Sequence, residues 1–305
     1  MEGRIFVLGA PADIFSGLRQ EIAARVVYLS DAMRFPQGLM KRMTRSLLVG
    51  RVPLPKKLLR WWFPGDDFDR LMAARTGDSI LLYEWVNARV LRALMSHIPK
   101  GVAWHIYYCN PIDAIFKNPK QELQRLSRLG AKLSSFDSVD AEKYGIAMTG
   151  QFFRYVDNPC DENTSDCFFC GLPKDRRSVL DDLRCLLEGQ GCICDFIIPD
   201  GNTPRIPYSE YLQRLSRCRC VVDICQKMQT GLTRRPVEAM FYHKKLITNN
   251  TFIRRYDFYN PKNVFIFGAD NVEQLADFVR TPAVPVPDEI MDRYDVNGWL
   301  SQFMN

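Results

Sequence analysis

Apolar positions recur along this chain in two alternating patterns. Short apolar runs read as strands buried on both faces, and stretches with an apolar residue every third or fourth position read as helices. The C-terminal half shows this most clearly. Cys167–Cys170 (CFFC) predicts a strand ending at Gly171, and 175–188 predicts a helix with a stripe of Val179, Leu180, Leu183, Leu186 and Leu187, stopped by Gly189 and Gly191. Strands follow at 194–199, 219–225, 245–249 and 264–267, and helices at 208–215, 236–242 and 272–279. The N-terminal half repeats the theme, with strands at 4–9, 25–29, 79–85, 102–109 and 131–136. Its helices are expected at 12–24, 86–96 and 120–129, with a helical turn at 141–144.

Strands alternating with helices imply βαβ units and parallel sheets covered on both faces. The polar stretch DNPCDENTSD (157–166) is the best linker, and 305 residues suffice for two domains. The expected fold is therefore α/β, with two Rossmann-like doubly wound sheets facing across a cleft. The boundaries are 1–158 and 159–305, with a basic insertion at 34–65. Ligands of such sheets bind outside the carboxyl ends of the strands.

Composition changes little in that picture. Hydrophobic residues make up 47% and charged residues 25% of the chain, so both domains can bury cores. No signal-peptide pattern opens the chain and no apolar run is long enough to span a bilayer, which reads as soluble and cytoplasmic. Ten cysteines raise the question of metal. The one suggestive spacing, Cys160, Cys167 and Cys170, lacks a fourth ligand, so no metal site is expected and the thiols read as buried side chains.

The chemistry concentrates at GLTRRPVE, 231–238. A helix starting at Pro236 would present free N–H groups and a positive dipole end to an anion, with Gly231 allowing close approach and Arg235 offering a guanidinium fork. Glu238 could then accept from ribose hydroxyls. Alternatively, Glu238 only complements the helix dipole and Arg235 is a solvated charge. Lys174, Arg176 and Arg177 add weight to the first reading, because cations at a helix start oppose its dipole unless an anion sits there.

The run from Pro207 through Pro261 resembles a family of bacterial glycosyltransferases of lipopolysaccharide and capsule biosynthesis with the GT-B fold. The residues that carry the resemblance are Asp223-Ile224, QTGLTRRPVEA (229–239), KKLITNN (244–250) and YDFYN (256–260). FFCGLPKDR (168–176), the SFD…DAEKYG segment (135–145) and GAPADI (9–14) extend it over nearly the whole chain. The resemblance implies a nucleotide-sugar donor held by the C-terminal domain and an acceptor by the N-terminal one, with no cofactor and no essential metal. It assigns Arg235 and Lys174 to the diphosphate, with Arg176 alongside. Gly231, Leu232 and Thr233 form the phosphate loop, Glu238 holds the ribose, and Gln229 touches the sugar or a phosphate. For a catalytic base two carboxylates stand open, Asp13 after the first strand and Glu84 near the end of SILLYEW.

The segment 34–65 lies outside the family motifs and carries eight basic side chains and no acidic one. Leu39, Met43 and Leu47 recur at helical spacing among Lys41, Arg42 and Arg45, and Lys56, Lys57, Arg60, Trp61 and Trp62 follow. This pattern suits the surface of an anionic membrane, where a lipid-linked or lipid A-linked glycan acceptor would be met, on the inner face of the cytoplasmic membrane. The alternative is an ordinary helix with a solvated basic face and core tryptophans. No nucleic-acid recognition motif is present. Competing with the transferase are a sugar-nucleotide epimerase or hydrolase of the same fold, and a non-catalytic, membrane-docked protein binding nucleotide or polysaccharide.

Overall fold

The computed structural model describes residues 3–10, 15–29, 55–61, 63, 65–84, 87–157, 162–199, 206–226 and 231–304. The chain folds as two compact units, one of residues 1–150 with 296–305 and the other of 151–295. The division thus falls at Gly150 rather than after residue 158, and the C-terminal segment returns to the first unit.

In the first unit six strands form one parallel sheet. They are Ile5–Leu8 (β1), Val26–Tyr28 (β2), Ser79–Tyr83 (β3), Ala103–Tyr108 (β4), Lys132–Ser135 (β5) and Ala147–Met148 (β6), in the order β2-β1-β3-β4-β5-β6. Successive side chains point to opposite faces. Phe6, Ile80, Leu82, Ile106 and Leu133 face a core shared with Leu91 and Leu94 of the helix Ala88–Met95 and Leu126 of Pro119–Arg128. The alternate residues of β4, His105 and Tyr107, meet the C-terminal segment instead. Trp299, in the helix Val296–Ser301, lies edge-on 4.9 Å from Tyr107, and Phe303 lies 5.4 Å from His105. This apolar contact is why the C-terminal segment belongs to the first unit. The helix expected over 12–24 is α-helical only at Gln20–Ala23 among the described residues, because Gly17 adopts a left-handed backbone (φ 98°).

The second unit holds Ser165–Cys170 (β7), Cys194–Ile197 (β8), Cys218–Asp223 (β9), Lys245–Thr248 (β10) and Val264–Ile266 (β11), all parallel, in the order β11-β10-β9-β7-β8. Alternation again builds two cores. Phe169, Val222 and Ile247 pack on Leu180, Leu183 and Leu187 of the helix Arg177–Gly189, with Leu275 and Val279 from Leu275–Arg280. On the other face Phe168, Val221 and Leu246 pack on Tyr211 and Leu215 of Tyr208–Ser216 and Val237 and Phe241 of Arg234–Phe241. Among the described residues no helix is long and apolar enough to cross a membrane, and no three His, Cys, Asp or Glu side chains converge as metal ligands.

His105 is buried, and its Nε2 has no partner among the described residues. Burial first, and then the Lys132 charge, hold its pKa down at about 4. The unfolded chain takes up this proton near the ordinary value of about 6.5, above the folded value, so stability falls as pH drops from there toward 4. Between pH 7 and pH 4 the wild type should lose on the order of 2–3 kcal/mol more stability than His105→Phe, measured by denaturant titration at each pH. Equal acid sensitivity of the two proteins would refute a neutral His105.

Candidate functional site

In the second sheet the strand order reverses between β7 and β9, with β8 on one side and β10 and β11 on the other. The loops leaving such a switch point part in opposite directions and leave a crevice at the carboxyl edge. A cavity of about 430 Å³ opens there, lined by Cys170 and Gly171 after β7, by Tyr208 and Tyr211, and by Arg235 and Glu238 of the helix Arg234–Phe241.

Two guanidinium groups meet at this edge. Arg235 donates from Nη2 to the Cys170 carbonyl (2.7 Å) and from Nη1 to Asp223 (3.2 Å). Arg176 donates to the carbonyls of Ile224 and, at 3.2 Å, Leu172. Each guanidinium carbon lies 5.3 Å from the centre of the Phe169 ring, within cation–π range. A Cβ built on Gly171 would stand 2.7 Å from Nη2 of Arg235 and 3.3 Å from Nη2 of Arg176. Only a residue without a side chain lets both cations approach there. Burial, and next the Arg235 charge, hold the pKa of Arg176 below the usual guanidinium value. Burial also opposes the charge on Arg235, but Asp223, Tyr211 and Glu238 outweigh it and raise that pKa. The Nε atoms of both arginines are buried and have no partner among the described residues.

Asp223, the last residue of β9, is 1% exposed and also accepts from the Thr233 hydroxyl at 2.8 Å. Glu238 forms the opposite wall. It is 2% exposed, and its two oxygens accept from the hydroxyls of Tyr208 (2.6 Å) and Tyr211 (2.5 Å), whose rings stack 5.5 Å apart. Burial and the Glu238 charge raise the pKa of both tyrosines, so both remain donors. Three guanidinium groups (Arg176, Arg234, Arg235) line or abut the cavity against two carboxylates (Asp223, Glu238). The excess positive charge suits an anion.

The helix here starts at Arg234, with Thr233 as its N-cap, two residues before the expected Pro236. Proline fits the third position equally well, since the N–H it lacks would find no intrahelical partner there. Arg235 therefore lies in the first turn and Glu238 in the second. After β7 a 3₁₀ turn, Lys174–Arg176, precedes the α-helix, which buries Arg176 and leaves Lys174 exposed with φ 46°. Gly231 and Leu232 are buried, and with the Thr233 hydroxyl turned to Asp223 these residues leave backbone rather than side chains for a ligand. Gln229 lies outside the described residues. Sequence reasoning missed Asp223, Gly171, Phe169 and the tyrosine pair as site residues. A carboxylate closing the apolar run CVVD was the readable signal for the first.

The first sheet has the same reversal, between β1 and β3. Directly after β3 stands Glu84, half-buried and in the left-handed region with φ 77°. Its carboxylate accepts from the Asn110 side chain and from Cys109 Sγ (3.3 Å), and its N–H donates to the Tyr107 carbonyl (2.7 Å). Asp13 lies outside the described residues, as do Lys41, Arg42, Arg45 and Trp62. Of the basic segment, Lys56–Arg60 is a short helix anchored by the buried Leu59. Lys56 and Lys57 are exposed, Arg60 pairs with Asp69 (2.5 Å), and Trp61 is 64% exposed rather than in the core.

No family model matches the chain, and no curated protein matches it. Among solved structures it is similar to AviGT4, a glycosyltransferase involved in avilamycin A biosynthesis, at 12% identity over 98% of this chain and 95% of that one, with a TM-score of 0.46. It is also similar to the DNA-modifying enzyme beta-glucosyltransferase, solved in the presence and absence of uridine diphosphoglucose. That match has 12% identity over 98% of this chain and 94% of the other, with a TM-score of 0.44. Likenesses this distant say nothing of what this chain binds.

Proposed function

We propose that this protein is a glycosyltransferase that takes a sugar from a nucleotide-sugar donor, and that the second-unit cavity holds the donor's diphosphate. The observation that carries the reading is the Arg176–Arg235 pair, converging over Gly171 at a switch-point crevice. When the bond from the anomeric carbon to the diphosphate breaks, the leaving group keeps the electron pair. Fixed guanidinium groups and a helix N-terminus stabilise that charge, which makes an essential metal unnecessary. Glu238 and its two tyrosines form the wall against which the nucleoside lies. In an inverting reaction Glu84 takes the proton of the acceptor hydroxyl, whose oxygen then attacks the anomeric carbon. Joining these roles requires the GT-B arrangement implied by the sequence resemblance. The same resemblance makes the acceptor a bacterial surface glycan on a lipid, part of a lipopolysaccharide core, O-antigen or capsule. The exposed Trp61 among Lys56, Lys57 and Arg60 supports docking at an anionic membrane.

Incubation with a panel of nucleotide sugars and glycolipid acceptors tests the reading directly. Transfer is expected, whereas free sugar, epimer or binding without turnover would overturn it. Arg235→Gln keeps a donor for Asp223 but removes the charge, and Gly171→Ala pushes both guanidinium groups aside. Each should weaken nucleoside-diphosphate binding by roughly 10–100-fold in calorimetry with the fold retained. Unchanged affinity would place the donor elsewhere.

Glu84→Gly should separate stability from activity. Relief of the left-handed backbone favours folding by about 1 kcal/mol, while loss of the carboxylate lowers turnover by roughly 10²–10⁴-fold. A glycine variant that keeps full turnover excludes Glu84 as the base. In flotation with anionic vesicles, Trp61→Ala should bind more weakly than the wild type, and salt should release both. An absence of wild-type flotation would remove the membrane from the account.

A further inference from the structure

Elsewhere on the first unit two helices begin side by side at the carboxyl edge of the sheet. Ala88–Met95 follows β3, and Pro119–Arg128 follows β4. A predominantly polar cavity of about 550 Å³ lies between their first turns, lined by residues of the first unit. Four cationic side chains line it (Arg89, Arg92, Lys117 and Arg125) together with one carboxylate, Glu122.

That carboxylate is already committed. One oxygen accepts from the Ala88 N–H at 2.7 Å, and the other faces Arg125 Nη1 at 3.3 Å. Arg89, Arg92 and Lys117 have no ion-pair partner among the described residues. Three helix arginines of the second unit contrast with them. Arg177 pairs with Asp181, Arg184 with Glu188 and Arg214 with Glu210, each four residues away. The helix ARVLRALM contains no acidic residue, so no such partner exists. Arg89 and Arg92 are three residues apart, where like charges repel, and Arg89 stands in the first turn, where a cation opposes the helix dipole. An ordinary solvated face offsets these costs with carboxylates; this one leaves them standing around a cavity.

The rest of the lining indicates what would offset them. Asn118 and Gln121 offer amide groups suited to sugar hydroxyls, Asn87 keeps only its NH2 because its oxygen caps the helix Ala88–Met95, and the Phe116 ring forms a flat apolar wall. Three uncompensated cations, amides and one aromatic face together match a phosphorylated saccharide. We infer that this cavity binds a sugar carrying a phosphate or diphosphate group. Arg89, Arg92 and Lys117 hold the phosphoryl oxygens, and Phe116 and the amides hold the sugar. Anion binding here does not depend on the transferase reading. Assignment of the ligand as the acceptor rests on it, and the acceptor would then be recognised through its phosphate.

Calorimetry on the full chain with glucose 1-phosphate, inorganic pyrophosphate and glucose tests the site. Vesicles carrying a polyprenyl phosphate distinguish a lipid headgroup from a free phosphosugar. The phosphorylated probes should bind and glucose should not. Arg89→Gln combined with Lys117→Gln should weaken phosphosugar binding at least tenfold. Arg177→Gln with Arg184→Gln, which removes the same number of charges from a paired surface, should leave it unchanged. Binding to vesicles alone, lost in the double variant, keeps the site and makes its ligand lipid-borne. Equal affinity of the wild type and the Arg89/Lys117 variant, or no phosphate binding by the wild type in either form, overturns the inference. If the chain transfers no sugar from any donor yet still shows this charge-dependent binding, the transferase reading fails and the site stands.

Discussion

The geometry at the carboxyl edge of the second sheet depends on one buried carboxylate. Asp223 closes β9 with almost no solvent contact, and an ionised carboxylate there costs several kcal/mol unless it is paired. Its partners come from the next element in the chain, the Thr233 hydroxyl and the Arg235 guanidinium. Satisfying Asp223 therefore fixes where the helix Arg234–Phe241 begins and which way Arg235 points. With Arg235 held against Phe169, Arg176 takes its own place on that ring, and Gly171 becomes the only tolerable residue beside them. Removing Asp223 would free Arg235, and replacing Arg235 by an apolar residue would leave Asp223 a buried charge without its ion pair. Fold and site thus share one ion pair at 3.2 Å.

Much of the fold was readable because the strands of parallel sheets are apolar on both faces. Each of the runs IFVL, SILLY, CVV and KLIT is a buried strand. Elements that escaped notice lack that signal. Met148 is exposed in the two-residue edge strand β6, and the C-terminal helix is short and recognisable only by what its Trp299 covers. At the site, Arg235 and Glu238 stood out because helix-start chemistry is local in sequence. The tyrosines were not legible, since Tyr208 and Tyr211 reach Glu238 across 30 and 27 residues and only the folded sheet brings them together. Pro236 misled by two residues because every position of the first turn tolerates proline.

The two sheets share a strand order and a switch point but place opposite charge there. At the second sheet guanidinium groups collect around Gly171. At the first, the residue leaving β3 is a carboxylate held in a backbone region that favours glycine. The backbone N–H bond to Tyr107 and the bonds from Asn110 and Cys109 keep Glu84 in that conformation against its local preference. Strain of this kind persists where neighbouring contacts over-determine a side chain's position, and such places concentrate in functional sites.

Like charges gathered together are an energetic burden, and the described residues carry two such groups. Around Gly171 the burden is met inside the fold, by Asp223, three carbonyl oxygens and the Phe169 ring. Those contacts hold both guanidinium groups in place, so an anion binding there meets oriented dipoles and loses little entropy in aligning them. Around Arg89, Arg92 and Lys117 no such scaffold exists, and the side chains are exposed and long. Binding there must order them, so the affinity per contact is lower and the tolerance for different phosphorylated groups is wider. A pre-ordered site around Gly171 and an adaptable one around Arg89 follow from where the counter-charges are, and where the described residues lack them.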